Sequence, residues 1–187
     1  YQRRVRGMQQ PEQLIQQAQS ALRPRLIQKP DFDLAHFYFK QAAFIYVQQK
    51  QFKKASETFA QLGQMFVTNR LLKQAVNPFN FALIYEHNPQ VFKQFITLSK
   101  ATGRFLQAAD YIMKYQKQQP LLVERIELLE MAYELYQKDM MNINCLIDLA
   151  VCYKQIGSLD KMNIMIDQLV KLCPKEFVDS YENLRRK

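Results

Sequence analysis

The sequence predicts an all-α chain in which one helical unit occurs three times, and three observations carry that expectation. Among 187 residues there are 24 glutamines but only four glycines and no tryptophan, a composition that favours helix over strand and over glycine-rich loops. Apolar residues recur three and four apart along most of the chain, which is the spacing of one helix face. Lys50, Gly103 and Gly157 stand 53 and 54 residues apart, and each opens the same apolar series.

Taken in order, residues 1–30 form a leading segment. A basic, glutamine-rich arm over residues 1–10 precedes a short satellite helix that starts at Pro11. Its narrow stripe of Leu14, Ile15, Ala18, Ala21 and Leu22 suits packing on a neighbour. Pro24 and Pro30 then bound an extended linker. Residues 31–187 form the helical repeat domain. Asp31 or Asp33 is placed to cap a helix carrying Phe37, Phe39, Ala42, Ala43, Phe44 and Tyr46, so apolar that burial on more than one side is expected. Phe52, Ala55, Phe59 and Leu62 follow Lys50 and complete the first copy. Beyond Leu71, Leu72 and Val76, the pair Asn77-Pro78 reads as the cap and first-turn proline of a helix bearing Phe81, Leu83, Ile84 and Tyr85.

The second copy is the clearest. Phe92, Phe95, Ile96 and Ser99 lead to the turn Thr102-Gly103-Arg104, then to Phe105, Ala108, Ile112, Tyr115 and Pro120. A helix over residues 120–139 intervenes, with Leu122, Ile126, Leu129, Tyr133, Tyr136 and Met140 on one side and Glu124, Glu127, Glu130 and Glu134 on the other. The third copy repeats every interval: Leu146, Leu149, Ala150 and Tyr153, then Gly157, Leu159, Met162, Ile166, Leu169 and Pro174. A capping helix with Phe177, Val178, Tyr181 and Leu184 is expected to close the array.

These intervals resemble the tetratricopeptide repeat, a helix-turn-helix unit of about 34 residues that stacks into a solenoid and holds other proteins. The resemblance covers residues 35–174 and is carried by residue sizes. It implies tetratricopeptide-like units with an extra helix per repeat, giving a period of 53–54 residues. In the family, ligands lie along one face of each first helix. Carried over, that face comprises Phe37, Lys40, Phe44 and Val47, then Gln90, Lys93, Thr97 and Lys100, then Asn144, Ile147, Val151 and Lys154. Lysines among aromatic and aliphatic neighbours imply an acidic partner segment. The family's clamp for a chaperone's C-terminal carboxylate is not implied, because Phe44, Thr97 and Val151 occupy the turns where it places asparagine.

The formal charge of +9 is uneven: residues 1–120 carry 17 basic and 6 acidic side chains, residues 121–187 carry 9 and 11. Such a basic region attracts acidic protein, anionic lipid or nucleic acid. Binding of RNA along Lys50, Lys53, Lys54, Arg70, Lys73, Lys93, Lys100, Arg104, Lys114 and Lys117 is therefore the alternative to protein binding, although no pair of polar residues recurs as a base-reading code. The three cysteines, an odd number, point to a reducing compartment, and Cys145 and Cys152, seven apart, read as small core residues. His36 reads as structural, and His87 as a favourable cation at a helix end. No nucleophile with a partner base, phosphate-cradling loop or metal spacing is present, so the expectation is a protein that is not an enzyme and takes no cofactor. Tyr1 followed at once by Arg3, Arg4 and Arg6 suits either an ordinary trimmed tail or a chain tethered by an upstream membrane helix. With the reducing compartment that the cysteines imply, the expected place is the cytoplasm or the cytoplasmic face of a membrane.

Overall fold

The computed structural model describes residues 10–24, 29–139, 141–172 and Asn183. Among them all regular structure is helical, and the chain divides into two compact units, Tyr1–Thr102 and Gly103–Lys187. The arm over residues 1–9, Met140, Cys173, Pro174 and the capping helix expected around Phe177, Val178, Tyr181 and Leu184 lie outside the described residues.

The first unit holds α1 (Pro11–Leu22), α2 (Phe32–Gln48), α3 (Phe52–Thr68), α4 (Leu72–Tyr85) and α5 (Pro89–Thr102), each packed on the one before it. Proline at the first position of α1 and α5 suits a turn whose amides lack internal partners. Side-chain caps complete the starts: Asp31 Oδ1 accepts from the Leu34 amide at 2.9 Å, and Asn88 Oδ1 from Gln90 at 2.9 Å and Val91 at 3.2 Å. The stripe of α1 is buried at its centre, with Ile15, Ala21 and Leu22 half-buried around it. Leu14 and Ala18 are 1% and 0% exposed, so this helix is packed into the unit along α2.

The second unit holds α6 (Phe105–Tyr115), a single 3-10 turn over Gln116–Gln118, α7 (Leu122–Tyr136), α8 (Ile143–Gln155) and α9 (Leu159–Leu172). Its core uses the expected positions: Ala108, Ile112, Leu129, Leu146, Leu149, Ala150, Ile166 and Leu169 are at most 1% exposed. Cys145 and Cys152 are buried free thiols. Burial pushes the Cys145 thiol up to about 12, which keeps it protonated and unreactive. Gln116, also buried, is tied between elements, donating to Asp148 Oδ2 at 3.1 Å and accepting from Arg125 Nε at 3.2 Å.

One backbone device closes the helices. Lys50, Arg70, Gly103 and Gly157 all adopt left-handed conformations, with φ of 57°, 60°, 72° and 74°. At three of them the same pair of bonds caps the preceding carbonyls: Lys50 N to Val47 O with Gln51 N to Tyr46 O, Arg70 N to Val67 O with Leu71 N to Phe66 O, and Gly157 N to Lys154 O with Ser158 N to Tyr153 O, all 2.9–3.0 Å. Lys50 thus matches the two glycines in conformation. Arg70 adds a turn that composition conceals.

A side-chain constellation also repeats. In the first unit Tyr46 on α2 donates to Glu12 on α1 at 2.8 Å, while Lys54 on α3 lies 3.7 Å from Glu12 and 5.3 Å over the Tyr46 ring. In the second, Tyr153 on α8 donates to Glu130 on α7 at 2.6 Å, and Lys161 on α9 lies 3.0 Å from Glu130 and 5.2 Å over the Tyr153 ring. The Tyr153 bond first, then Lys161, holds the Glu130 carboxyl below its ordinary range. Tyr46 is pushed up to about 12, by burial and then by Glu12. Each set joins three successive helices. Glu130 is therefore a tie between helices, while Glu124, Glu127 and Glu134 are exposed.

Two sequence expectations are corrected. Asn77-Pro78 does not start a helix: α4 begins at Leu72 and carries Pro78 inside it. An interior proline costs about 3 kcal/mol, but Ala75, Val76, Phe79, Ala82 and Leu83 continue one buried stripe through it, and that burial outweighs the penalty. His87 is not the expected cation. Burial lowers its pKa, and its ring lies 5.5 Å from that of Phe92.

Replacing Lys50 or Arg70 by glycine is expected to raise stability by about 1 kcal/mol each, since a left-handed non-glycine residue costs roughly that much. Gly103→Ala and Gly157→Ala should lower it by a similar amount; urea midpoints that move the opposite way would contradict the turn assignment. A second expectation concerns acid. His36, whose ring meets Phe66 at 5.4 Å, has its pKa lowered by burial and then by Lys40, and that of His87 is lowered by burial. The unfolded chain therefore binds more protons, so stability should fall as pH drops from about 7.5 to 5.5 through the ordinary imidazole range. The double variant His36→Gln, His87→Gln should flatten that slope in melting temperature; an unchanged slope would show that the histidines are not its source.

Candidate interaction groove

Three-residue connections reverse the chain between α2 and α3, α3 and α4, and α4 and α5. Helix α3 borders α1 and α5 across two hollows while each of the three packs on α2 or α4, so the first unit has two layers. On the layer of α1, α3 and α5, an open groove of about 480 Å³ runs between α3 and α5. Gln64 and Val67 line it from α3, and Gln90, Lys93, Gln94, Thr97 and Leu98 from α5. The side chains arrive at one place by helical arithmetic, since Gln90, Lys93, Gln94 and Thr97 are three, four and seven apart. Gln94 Nε2 donates to Gln64 Oε1 across the groove at 3.5 Å, and the Thr97 hydroxyl donates to its own helix at Lys93 O, 2.8 Å. Lys93 and Lys100 are exposed and make no ion pair among the described residues. Gln64 also borders a second hollow, about 530 Å³, between α1 and α3, which Gln19, Gln61 and Thr68 help to line. The surface offered is rich in amides, with a cationic edge and a narrow apolar floor at Val67 and Leu98.

The structure separates the residues that the sequence grouped. Gln90, Lys93 and Thr97 line the groove, and Lys100 lies one turn beyond Thr97 on α5. Phe37, Lys40 and Phe44 sit on α2, in the other layer. Phe37 rests edge-on against Tyr38 at 5.7 Å and Phe44 against Phe59 at 5.8 Å. Asn144, Ile147 and Lys154 belong to α8 in the second unit: Asn144 is exposed beside its cap Asn142, and Ile147 and Lys154 are half-buried. The separation of α2 from α5 is a matter of parity. Three turns separate them, and an odd number of reversals puts matching positions on opposite layers.

Gln64 and Val67 were missed by sequence reading, although a signal for them exists. Phe59-x2-Leu62-Gly63-x2-Phe66, followed by Ala75-x3-Phe79, meets the size pattern of a tetratricopeptide hairpin. In the structure α3 and α4 pair accordingly. Gly63 faces Phe79 so closely that a Cβ there would lie 2.8 Å from the ring, and Ala75, Phe79 and Ala82 are at most 1% exposed. The left-handed turn at Lys50 joins α2 to α3, whereas the size pattern falls on α3 and α4, so turn conformation and size pattern mark different helix pairs here.

No protein-family model and no curated protein matches this sequence. Among solved structures, the chain is similar to a tetratricopeptide repeat protein from Parabacteroides merdae at 16% identity, covering 94% of this chain and 70% of that one with a TM-score of 0.38. It is similar to the nearly identical repeats of a putative kinesin light chain from Podosopora anserina at 15% identity, covering 87% and 95% with a TM-score of 0.37. The third is YrrB, described as a tetratricopeptide protein with an unusual peptide-binding site, at 13% identity, covering 78% and 90% with a TM-score of 0.29. By the geometry of its own hairpins and turns, the described chain is an all-α array of tetratricopeptide-like helical units.

Proposed function

We propose that this chain is a non-enzymatic protein–protein interaction scaffold whose α3–α5 groove holds an acidic segment of a partner protein. The observation that carries the reading is the pairing of an amide-lined groove with exposed Lys93 on its α5 wall, and with exposed Lys100 on the same helix just beyond it. Glutamine side chains both donate and accept, so Gln64, Gln90 and Gln94 suit the backbone of an extended segment irrespective of its sequence. The lysines select acidic side chains and steer encounter. Basic surroundings reinforce this: residues 10–102 carry eleven lysines and arginines against five acids. Among the described residues no helix is long and apolar enough to cross a membrane, so membrane association in this reading belongs to a tether or partner outside them, as part of a larger cytoplasmic assembly.

The double reversal Lys93→Glu, Lys100→Glu should weaken binding of an extended, glutamate-rich peptide at least tenfold, about 1.4 kcal/mol, without loss of helicity in circular dichroism. RNA binding is the competing outcome. It would appear as tight, steeply salt-dependent affinity for random single strands, with the peptide bound no better by the parent protein than by the double variant.

A further inference from the structure

The layer of α2 and α4 carries a second feature that the groove does not use. Phe59 of α3, 2% exposed, is the centre of a connected set of rings: Phe44 at 5.8 Å, Phe81 at 5.4 Å and Tyr85 at 5.9 Å, with Phe52 stacked on Tyr85 at 6.1 Å and 5°. The outer members are not covered. Phe44 is 40% exposed, Phe52 47%, Phe81 40%, and Ile84, one turn from Phe81 on α4, 59%. One exposed phenylalanine is ordinary, but here four large apolar side chains linked through one ring cluster are left uncovered together, and a contiguous apolar patch rimmed by polar residues is what interaction sites present.

From this we infer that the Phe44–Phe81–Ile84 patch is a second docking surface, and that its occupant is an amphipathic helix of a partner protein with acidic residues flanking its apolar stripe. The helical form follows from spacing. Phe81 and Ile84 stand three residues apart on α4, one turn of one helix face, and both are exposed, so a partner helix whose apolar residues recur at three and four can lie along them with Phe44 at its side. The acidic flanks follow from charge. Lys40 lies one turn before Phe44 on α2, and Lys50 and Lys53 flank Phe52; all three are exposed, and none makes an ion pair among the described residues. The same charges disfavour a second copy of this chain, because a two-fold interface would set like lysines against one another. The inference is independent of the groove, which lies on the other layer.

The chain contains no tryptophan, so a synthetic helix with leucines and one tryptophan on its apolar face and glutamates on both flanks can be followed by its own fluorescence. Saturable one-to-one binding with a blue-shifted emission is expected. Phe81→Ser with Ile84→Ser, and separately Lys40→Glu with Lys53→Glu, should each weaken it at least tenfold, while Lys93→Glu leaves it unchanged. The charge reversal touches only exposed side chains and decides the matter if the apolar variant does not fold. The inference is overturned if the peptide does not bind at millimolar concentration, if a lysine-flanked version binds equally, or if the charge reversal is without effect. It is equally overturned if the parent chain instead binds phosphatidylserine vesicles through the patch, or sediments as a dimer that Phe81→Ser with Ile84→Ser dissolves. If Lys93→Glu alone abolished binding, the peptide would be occupying the groove, and the patch would be refuted as its site.

Discussion

The short left-handed turn is the constraint on which the rest of the structure depends. At Lys50, Arg70 and Gly157 the same two hydrogen bonds end one helix and release the next within three residues. A connection that short leaves the following helix no choice but to run back along its predecessor. Apolar stripes then have to face their neighbours. Helix α2, expected from its composition to be buried on more than one side, instead buries the one stripe of Ala35, Phe39, Ala42, Ala43 and Tyr46 and leaves Phe37 and Phe44 52% and 40% exposed. Small residues recur at close approaches. Gly63 against Phe79 is the tightest of these. Glycine supplies the turn at no steric cost at Gly103 and Gly157, whereas Lys50 and Arg70 reach the same conformation with strain that the surrounding burial outweighs.

The tyrosine–glutamate–lysine sets show what the repeat conserves beyond size. Tyr46 and Tyr153 occupy matching places before the turn, and Lys54 and Lys161 matching places after it. Glu12 and Glu130 come in from the preceding helix at different sequence distances. In the middle copy Ser99 stands where the tyrosines stand. It is fully buried, and its hydroxyl has no hydrogen-bond partner among the described residues. The division of the chain into two compact units falls three residues later, after Thr102. The copy without the tie is the one at which the chain divides.

Alternation between layers gives the first unit two chemically different faces. The α1, α3 and α5 layer is rich in amides and takes its character from Gln61, Gln64, Gln90 and Gln94, whose groups suit a backbone. The α2 and α4 layer is aromatic, with Phe44, Phe81 and Ile84 around the buried ring of Phe59. Lysines border both. In the reading proposed above, the first of these surfaces takes an extended segment and the second a helix face, each from an acidic partner.

By itself, the sequence determined the helical class, the extents of α5, α6, α8 and α9 to within a few residues, and the shared turn conformation of Lys50, Gly103 and Gly157. These are local consequences of spacing, capping and glycine freedom. It also determined the basic character of the first unit, because charge is additive along a chain. Only the tertiary structure decided that Pro78 lies inside a helix, that burial lowers the pKa of His87, that α1 is packed along α2, and that Glu130 is a tie between helices. Each depends on burial against residues distant in sequence. The grouping of candidate residues belongs to the same class: Gln90, Lys93 and Thr97 join Gln64 and Val67, whereas Phe37, Lys40 and Phe44 lie on another layer. Repeat registers preserve position within a helix, but the side on which that helix lies depends on the number of turns before it, and an odd number reverses it.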